Sequence, residues 1–196
     1  MYKRQCDDLY INLAIKDTEI PNLKIINSSS DLAGAELELA QVVIGRERVL
    51  EEKLSDIKDD FDFIFIDCPP SLGLLTVNAL AASNGVLVPR QSEYFALEGL
   101  SQMMNTIKLI KKFLNPTIEV EGVVLTLYDS RSKLSKGVTE EIAKFFGSKV
   151  FDTKIPRNVR LAEAPSYGKP IIAYDRRCAG ALAYEALAEE FLRKIK

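Results

Sequence analysis

A chain of 196 residues, 47% hydrophobic and 28% charged, is long enough for one domain with a substantial core and too apolar for a disordered, collagen-like or disulfide-framework protein. It contains no histidine, which removes Ser-His-Asp triads, Cys-His pairs, histidine general bases and His-containing zinc sites together. The net charge of -2 hides an asymmetry: residues 1–128 hold 12 basic against 19 acidic side chains, whereas residues 129–177 hold 11 against 6. No apolar run approaches the roughly 20 residues that cross a bilayer, and residues 1–20 lack the apolar block of a secretory signal, so a cytoplasmic protein is expected. The three cysteines, Cys6, Cys68 and Cys178, form no CxxC pair and read as reduced thiols, Cys68 as a small buried hydrophobe.

In chain order, short apolar runs bounded by turn residues predict strands at 23–27, 61–67, 85–89, 121–127 and 150–155. Their Ile, Val, Leu and Phe content suits strands buried on both faces of a sheet. A 3.6-residue pattern predicts helices at 33–57, 97–113, 135–146 and 179–195, with Asn115-Pro116 and Gly147 as stop signals. Alternating strand and helix imply an α/β fold with a mostly parallel sheet flanked by helices. The last helix sets Leu182, Ala186, Leu187, Phe191 and Ile195 mostly on one face, and the mixed charge of its other face favours packing on the sheet over a membrane surface.

The most informative stretch is DFIFIDCPPSLG, residues 62–73. An apolar strand delivers Asp67 to its carboxyl end, and Pro69 and Pro70 then force the chain out of the sheet. A carboxylate at that rim suits a Mg²⁺ ion, held through water beside nucleotide phosphates; an Asp that caps the following turn fits the same pattern.

Four stretches together resemble the ParA/Soj family of chromosome- and plasmid-partitioning ATPases, of the deviant Walker A class. They are LAGAE at 32–36, FIFIDCPPSLGLLTVNAL at 63–80, EYFALEGLSQ at 93–102 and IPRNVRLAEAPSYGKP at 155–170. The resemblance covers nearly the whole chain from residue 23, and its last two stretches separate it from MinD-like ATPases. It implies a P-loop NTPase-like fold of the SIMIBI type. Asp67 then falls at the Walker B carboxylate near Mg²⁺, and Cys68, Pro69, Pro70 and Gly73 at the switch that senses the γ-phosphate. Thr126, Pro156, Arg157 and Asn158 fall where the family surrounds adenine. Arg131 and Arg160 fall where Soj-like proteins contact DNA without regard to sequence, with Lys133, Lys136 and Arg157 extending the patch inside the basic segment. The resemblance further implies ATP and Mg²⁺ as cofactors of the complete protein, an ATP-dependent homodimer, a ParB-type partner and a nucleoid-associated location, with no membrane role.

One part of the family pattern is missing. Members begin with a strand and a KGGVGKT loop, followed by a second strand ending in Asp-x-Asp-Pro-Gln; this sequence contains neither, and its only Gly-Lys pair, Gly168-Lys169, is followed by Pro170. The expectation is a single ParA-like domain, residues 1–196, lacking its first strand, Walker A loop and second strand. Such a chain is expected neither to hydrolyse ATP nor to dimerise around it unaided, because phosphoryl transfer rests on positioning and charge stabilisation. The alternatives are a non-enzymatic module that binds DNA or a partner, and a MinD-like ATPase.

Overall fold

The structure, a computed structural model, describes residues 10–69, 73–92 and 98–195, with all their side chains except those of residues 33, 98 and 99. It separates into two compact units. The first comprises Met1–Asn84 with Thr106–Ile118, the second Gly85–Asn105 with Glu119–Lys196.

The first unit opens with an antiparallel pair, β1 (Lys16–Asp17) and β2 (Lys24–Ile25), turned by Asn22 at a left-handed φ of 63° and tied by a Lys24–Asp17 ion pair. The expected strand at 23–27 is thus only two residues long and antiparallel, and Leu23, Ile25 and Ile26 are exposed rather than buried on both faces. Helix α1 (Leu32–Gln41) and helix α2 (Val49–Leu54) replace the single helix expected over 33–57. The interruption is local: Gly45 takes φ +82°, and Val43 and Ile44 beside it are about nine-tenths exposed, at 91% and 89%.

Residues 61–67 lie in no sheet ladder among the described residues. Phe63, Ile64 and Phe65 are exposed there. The sequence pattern for a strand is present, but a strand exists only through its ladder, and among the described residues no ladder holds this run. Helix α3 (Leu74–Ala82) follows, fixed by two buried asparagines. Asn78 Nδ2 donates to Arg46 O and Leu74 O at 2.7 and 3.0 Å, while its Oδ1 accepts Leu50 N–H at 3.1 Å. Asn115 Nδ2 reaches Leu80 O, Ala81 O and Ser83 O, and its Oδ1 accepts from Thr117 N and Oγ1, so the carbonyls that end α3 are satisfied.

The second unit carries the parallel ladder. Strand β3 (Gly85–Gln91) pairs in parallel with β4 (Glu119–Thr126) from Gly85↔Glu119 to Gln91↔Thr126, with an irregularity between Val86 and Leu87. The expected third strand at 150–155 is reduced to two parallel bridges, Val123↔Val150 and Tyr128↔Pro156, with Phe151 N–H and Ile155 N–H donating to Val123 O and Leu125 O. Helix α4 (Glu98–Phe113) leads into β4, its first part counted with the second unit and its last with the first.

Helix α5 (Lys133–Phe146) starts at a Ser132 cap, ends at Gly147 (φ 53°) and buries Ser135, Val138 and Ile142. Two short helices, α6 (Val159–Glu163) and α7 (Ile171–Tyr174), precede α8 (Ala179–Ile195). The core of this unit joins Val124, Phe151, Ile155 and Leu187, with Leu87, Leu161, Ala183 and Phe191 packed against it. Helix α8 therefore packs on the sheet through Leu187 and Phe191 of the expected face, joined by Ala181 and Glu190, while Leu182 and Ile195 of that face are exposed. Gly122 allows the approach of Phe151, whose ring fills the space a Cβ would need.

Candidate functional site

The expected site residues divide between the two units, and each group is built by its own local structure. In the first unit, Asp67 ends the apolar run with its side chain exposed to solvent rather than set among apolar neighbours. Cys68 beside it is exposed too, which corrects the expectation of a buried small hydrophobe. Partial desolvation first, and the Asp67 negative charge second, push the Cys68 thiol above its usual range. Thr76 Oγ1 donates to Pro69 O at 3.5 Å. Pro70 lies outside the described residues.

Gly73 precedes α3, and here the structure adds a residue to which sequence reasoning gave no role. Glu36 Oε1, from α1, accepts the Leu74 N–H at 2.7 Å, satisfying a first-turn donor of α3. A Cβ on residue 73 would collide with that carboxylate, so the glycine and the glutamate belong together. Glu36 stood in the LAGAE stretch, but a bond spanning 38 residues leaves no local signal.

In the second unit, Thr126 closes β4, and Leu127 turns out of the strand at φ +51°, strained backbone for a residue with a branched side chain. Two buried serines fix this turn. Ser92 N–H donates to Thr126 O at 3.1 Å, and Ser92 Oγ lies 3.4 Å from Leu127 O and 3.3 Å from Ser135 Oγ. Neither serine was singled out by sequence, since isolated serines carry no pattern.

Tyr128 N–H donates to Ile155 O at 3.0 Å and Arg157 N–H to Tyr128 O at 3.3 Å. These bonds bring the end of β4 beside Pro156, Arg157 and Asn158. Asn158 Oδ1 also caps α6, accepting Arg160 N–H at 2.9 Å and Leu161 N–H at 3.3 Å. Its cap role leaves the Nδ2 group as the available donor.

The basic residues lie on the same unit. Arg131 is almost fully exposed, at 91% of its side chain, and its Nε sits 3.3 Å from Asp129 Oδ1. Asp129 also accepts Arg131 N–H at 2.9 Å; that backbone bond, then the guanidinium, hold its carboxyl below the usual range. Lys133 is exposed in the first turn of α5. Arg160 Nη1 donates to Glu163 Oε2 at 2.9 Å, and its Nε lies 3.6 Å from Asp175 Oδ2.

Mg²⁺ takes oxygen ligands, usually with several waters retained. The described residues contain no group of three or more Cys, Asp or Glu side chains able to hold a metal by themselves, whereas the single exposed carboxylate of Asp67 suits one water-mediated contact. No helix is long and apolar enough to cross a membrane among the described residues.

A parallel ladder crossed by helices, with loops gathered at strand carboxyl ends, is the arrangement of an α/β nucleotide-binding fold. A family model described as AAA domain matches residues 1–120. The chain is 52% identical to the sporulation initiation inhibitor protein Soj of Bacillus subtilis (strain 168), over 97% of this chain and 75% of that protein. It is 48% identical to the chromosome partitioning protein ParA of Caulobacter vibrioides (strain NA1000 / CB15N), over 94% of this chain and 69% of that one. A solved structure of cobyrinic acid a,c-diamide synthase from Mycobacterium smegmatis, with bound ADP and magnesium, superposes with a TM-score of 0.79 at 34% identity, over 95% of this chain and 68% of that one.

The chain belongs to the Soj/ParA family of chromosome-partitioning ATPases, and its fold is of the P-loop NTPase kind.

Proposed function

We propose that this chain is the portion of a Soj/ParA partition ATPase that carries the Walker B carboxylate, the adenine-facing loops and the DNA surface. The phosphate-cradling loop would come from a segment outside this sequence. The observation that carries the reading is the joining of the loop after β4 to residues 156–158 through Tyr128, which gathers Thr126, Pro156, Arg157 and Asn158 at one edge of the parallel ladder. Ligands in open α/β sheets bind beyond strand carboxyl ends, and this is such an edge. ADP and magnesium bound to the cobyrinic acid a,c-diamide synthase relative support nucleotide and Mg²⁺ as the cofactors here.

In this reading Asp67 orders a water on Mg²⁺, and residues 68–73 respond to the γ-phosphate, with Gly73 and Leu74 anchored by Glu36. ATP binding drives homodimer formation, the dimer binds DNA through Arg131, Lys133 and Arg160, and a ParB-type partner stimulates hydrolysis and release on the nucleoid, in the cytoplasm. DNA contact of this kind runs on phosphate charge and counterion release, so it ignores base sequence and weakens with salt. By itself the 196-residue chain is expected to show no ATP turnover, lacking Lys and backbone donors for the phosphates.

The test is filter retention of random-sequence duplex by the full-length protein with ATP at several salt concentrations. Wild type should show ATP-dependent retention that falls steeply with salt. Arg160→Glu should weaken retention and flatten the slope by about 1 or more. Retention unchanged in Arg160→Glu would remove DNA from the reading. ATP turnover by the isolated chain would remove the division of labour between the segments.

A further inference from the structure

Arg160 is an exposed side chain, yet it is not unengaged. Its guanidinium meets Glu163 at 2.9 Å within the same helical turn and Asp175 at 3.6 Å across from the end of α7. The Glu163 carboxylate is itself held: Tyr174 OH donates to the same Oε2 at 3.1 Å, and the Tyr174 ring stacks on Tyr167 with centroids 5.0 Å apart. The Asn158 cap fixes the start of this turn by accepting the Arg160 N–H. A surface arginine therefore carries two carboxylates, one of which is immobilised by an aromatic stack. Arg131 has a plainer arrangement, one partner two residues away.

Glu163 takes an Arg160 Nη1 N–H and Asp175 lies 3.6 Å from its Nε, so a DNA phosphate approaching the guanidinium meets one donor already engaged and two carboxylates competing for the same positive charge. Exposed ion pairs are weak, so phosphate can displace them, but displacement leaves two carboxylates facing a polyanion. We propose that Glu163 and Asp175 form an acidic latch on Arg160, setting the affinity of the DNA surface by competing with backbone phosphate for its guanidinium. This rests on the DNA reading of Arg160 given above. The latch weakens sequence-independent binding and favours release, which a protein that must let go of DNA requires.

The experiment is a cycle on the full-length protein with ATP, read as anisotropy of a labelled random-sequence duplex at low salt. Glu163→Gln should raise affinity by about two- to fivefold, the range of one exposed ion pair, and steepen the salt slope. Asp175→Asn should raise it less, since its contact is longer. In an Arg160→Gln background both effects should vanish, because the carboxylates act through that side chain. Glu189→Gln, an equal charge change at an exposed position on α8, should leave affinity within error.

Gains that persist without Arg160 would overturn the latch in favour of a general charge effect. Unchanged or weakened binding in both carboxylate variants, with Arg160→Gln still losing DNA, would overturn the latch alone. Full DNA binding by Arg160→Gln would overturn both the latch and the DNA assignment of that residue. Should Glu163→Gln lower the melting temperature, Asp175→Asn carries the same test, since it leaves the Tyr174–Glu163 bond in place.

Discussion

The two units are stabilised by different means. The second buries an apolar cluster in which Phe151 is 1% exposed and stacks on Phe191 from α8, above a seven-residue parallel ladder. The first leaves Phe65 70% exposed and holds its helices with buried amides, Asn78 and Asn115, spanning elements distant in sequence. Both contain the same apolar strand pattern, FIFI in one and VVL in the other. Among the described residues only the second holds its run in a ladder. The contrast shows that strand pattern is a demand for partners, met where a ladder exists and left open where none does. The residues assigned to adenine and DNA stand on the supported unit, and Asp67 stands on the unsupported one.

The sharpest way to break this contrast is to truncate a phenylalanine in each unit. Phe151→Ala should destabilise the 196-residue chain by about 3–5 kcal/mol, the range for a buried aromatic. Phe65→Ala should change its stability by less than about 0.5 kcal/mol, as for an exposed position. Urea unfolding followed by far-UV circular dichroism reads both. Equal losses would mean that residues 61–67 are packed after all. In a longer chain that holds residues 61–67 in a ladder, the Phe65 penalty should grow to several kcal/mol while the Phe151 penalty stays the same.

The same contrast explains how far the sequence could be read. Strands β3 and β4 and helices α4, α5 and α8 fall within two residues of their expected bounds, where strong periodic patterns meet clear end signals such as Gly147 or Asn115-Pro116. The run at 61–67 was misplaced as a strand because pairing is not a property of the run itself. The 33–57 helix was read through Gly45, since one glycine inside a periodic stretch signals a break only once its φ is known. In the site, motif residues such as Asp67, Asn158 and the basic side chains were legible as candidates. Glu36, Ser92 and Ser135 were not, because each acts on backbone far away in sequence.

A second probe, of intermediate size, tests how α8 is fastened to the ladder. Glu190 is 6% exposed, and its two oxygens accept Asp152 N–H and Thr153 N–H at 2.8 Å each, with Lys194 3.4 Å away. Burial opposes its ionisation, but the Thr153 and Asp152 bonds and Lys194 outweigh that cost and hold the carboxyl below its ordinary value. A carboxyl depressed in the folded state contributes stability above its unfolded pKa, near 4.3, and loses it as pH falls through the folded value. Glu190→Gln should therefore cost about 1–3 kcal/mol at pH 7 and remove part of the acid sensitivity below about pH 4.5. Stability curves of the two proteins that stay parallel from pH 7 to pH 3 would show that the carboxyl titrates alike in the folded and unfolded states, against a depressed value in the fold.

The smallest effect addresses the first unit, at the exposed end of its apolar run. Cys68 is exposed, yet its thiolate is disfavoured by partial desolvation and by the adjacent Asp67. At pH 7 alkylation by iodoacetamide should accordingly be slower than for a free thiol, since the thiolate is the reactive form. Asp67→Asn removes the like charge and should speed alkylation at constant pH by a small factor, without altering secondary structure. If Asp67 also meets Mg²⁺ with nucleotide in the complete protein, adding both should mimic the substitution by offsetting the carboxylate charge, and Asp67→Asn should no longer respond to them. A thiol whose rate ignores both substitution and Mg-nucleotide would separate Asp67 from the switch residues that follow it, and leave the first unit without its proposed metal contact.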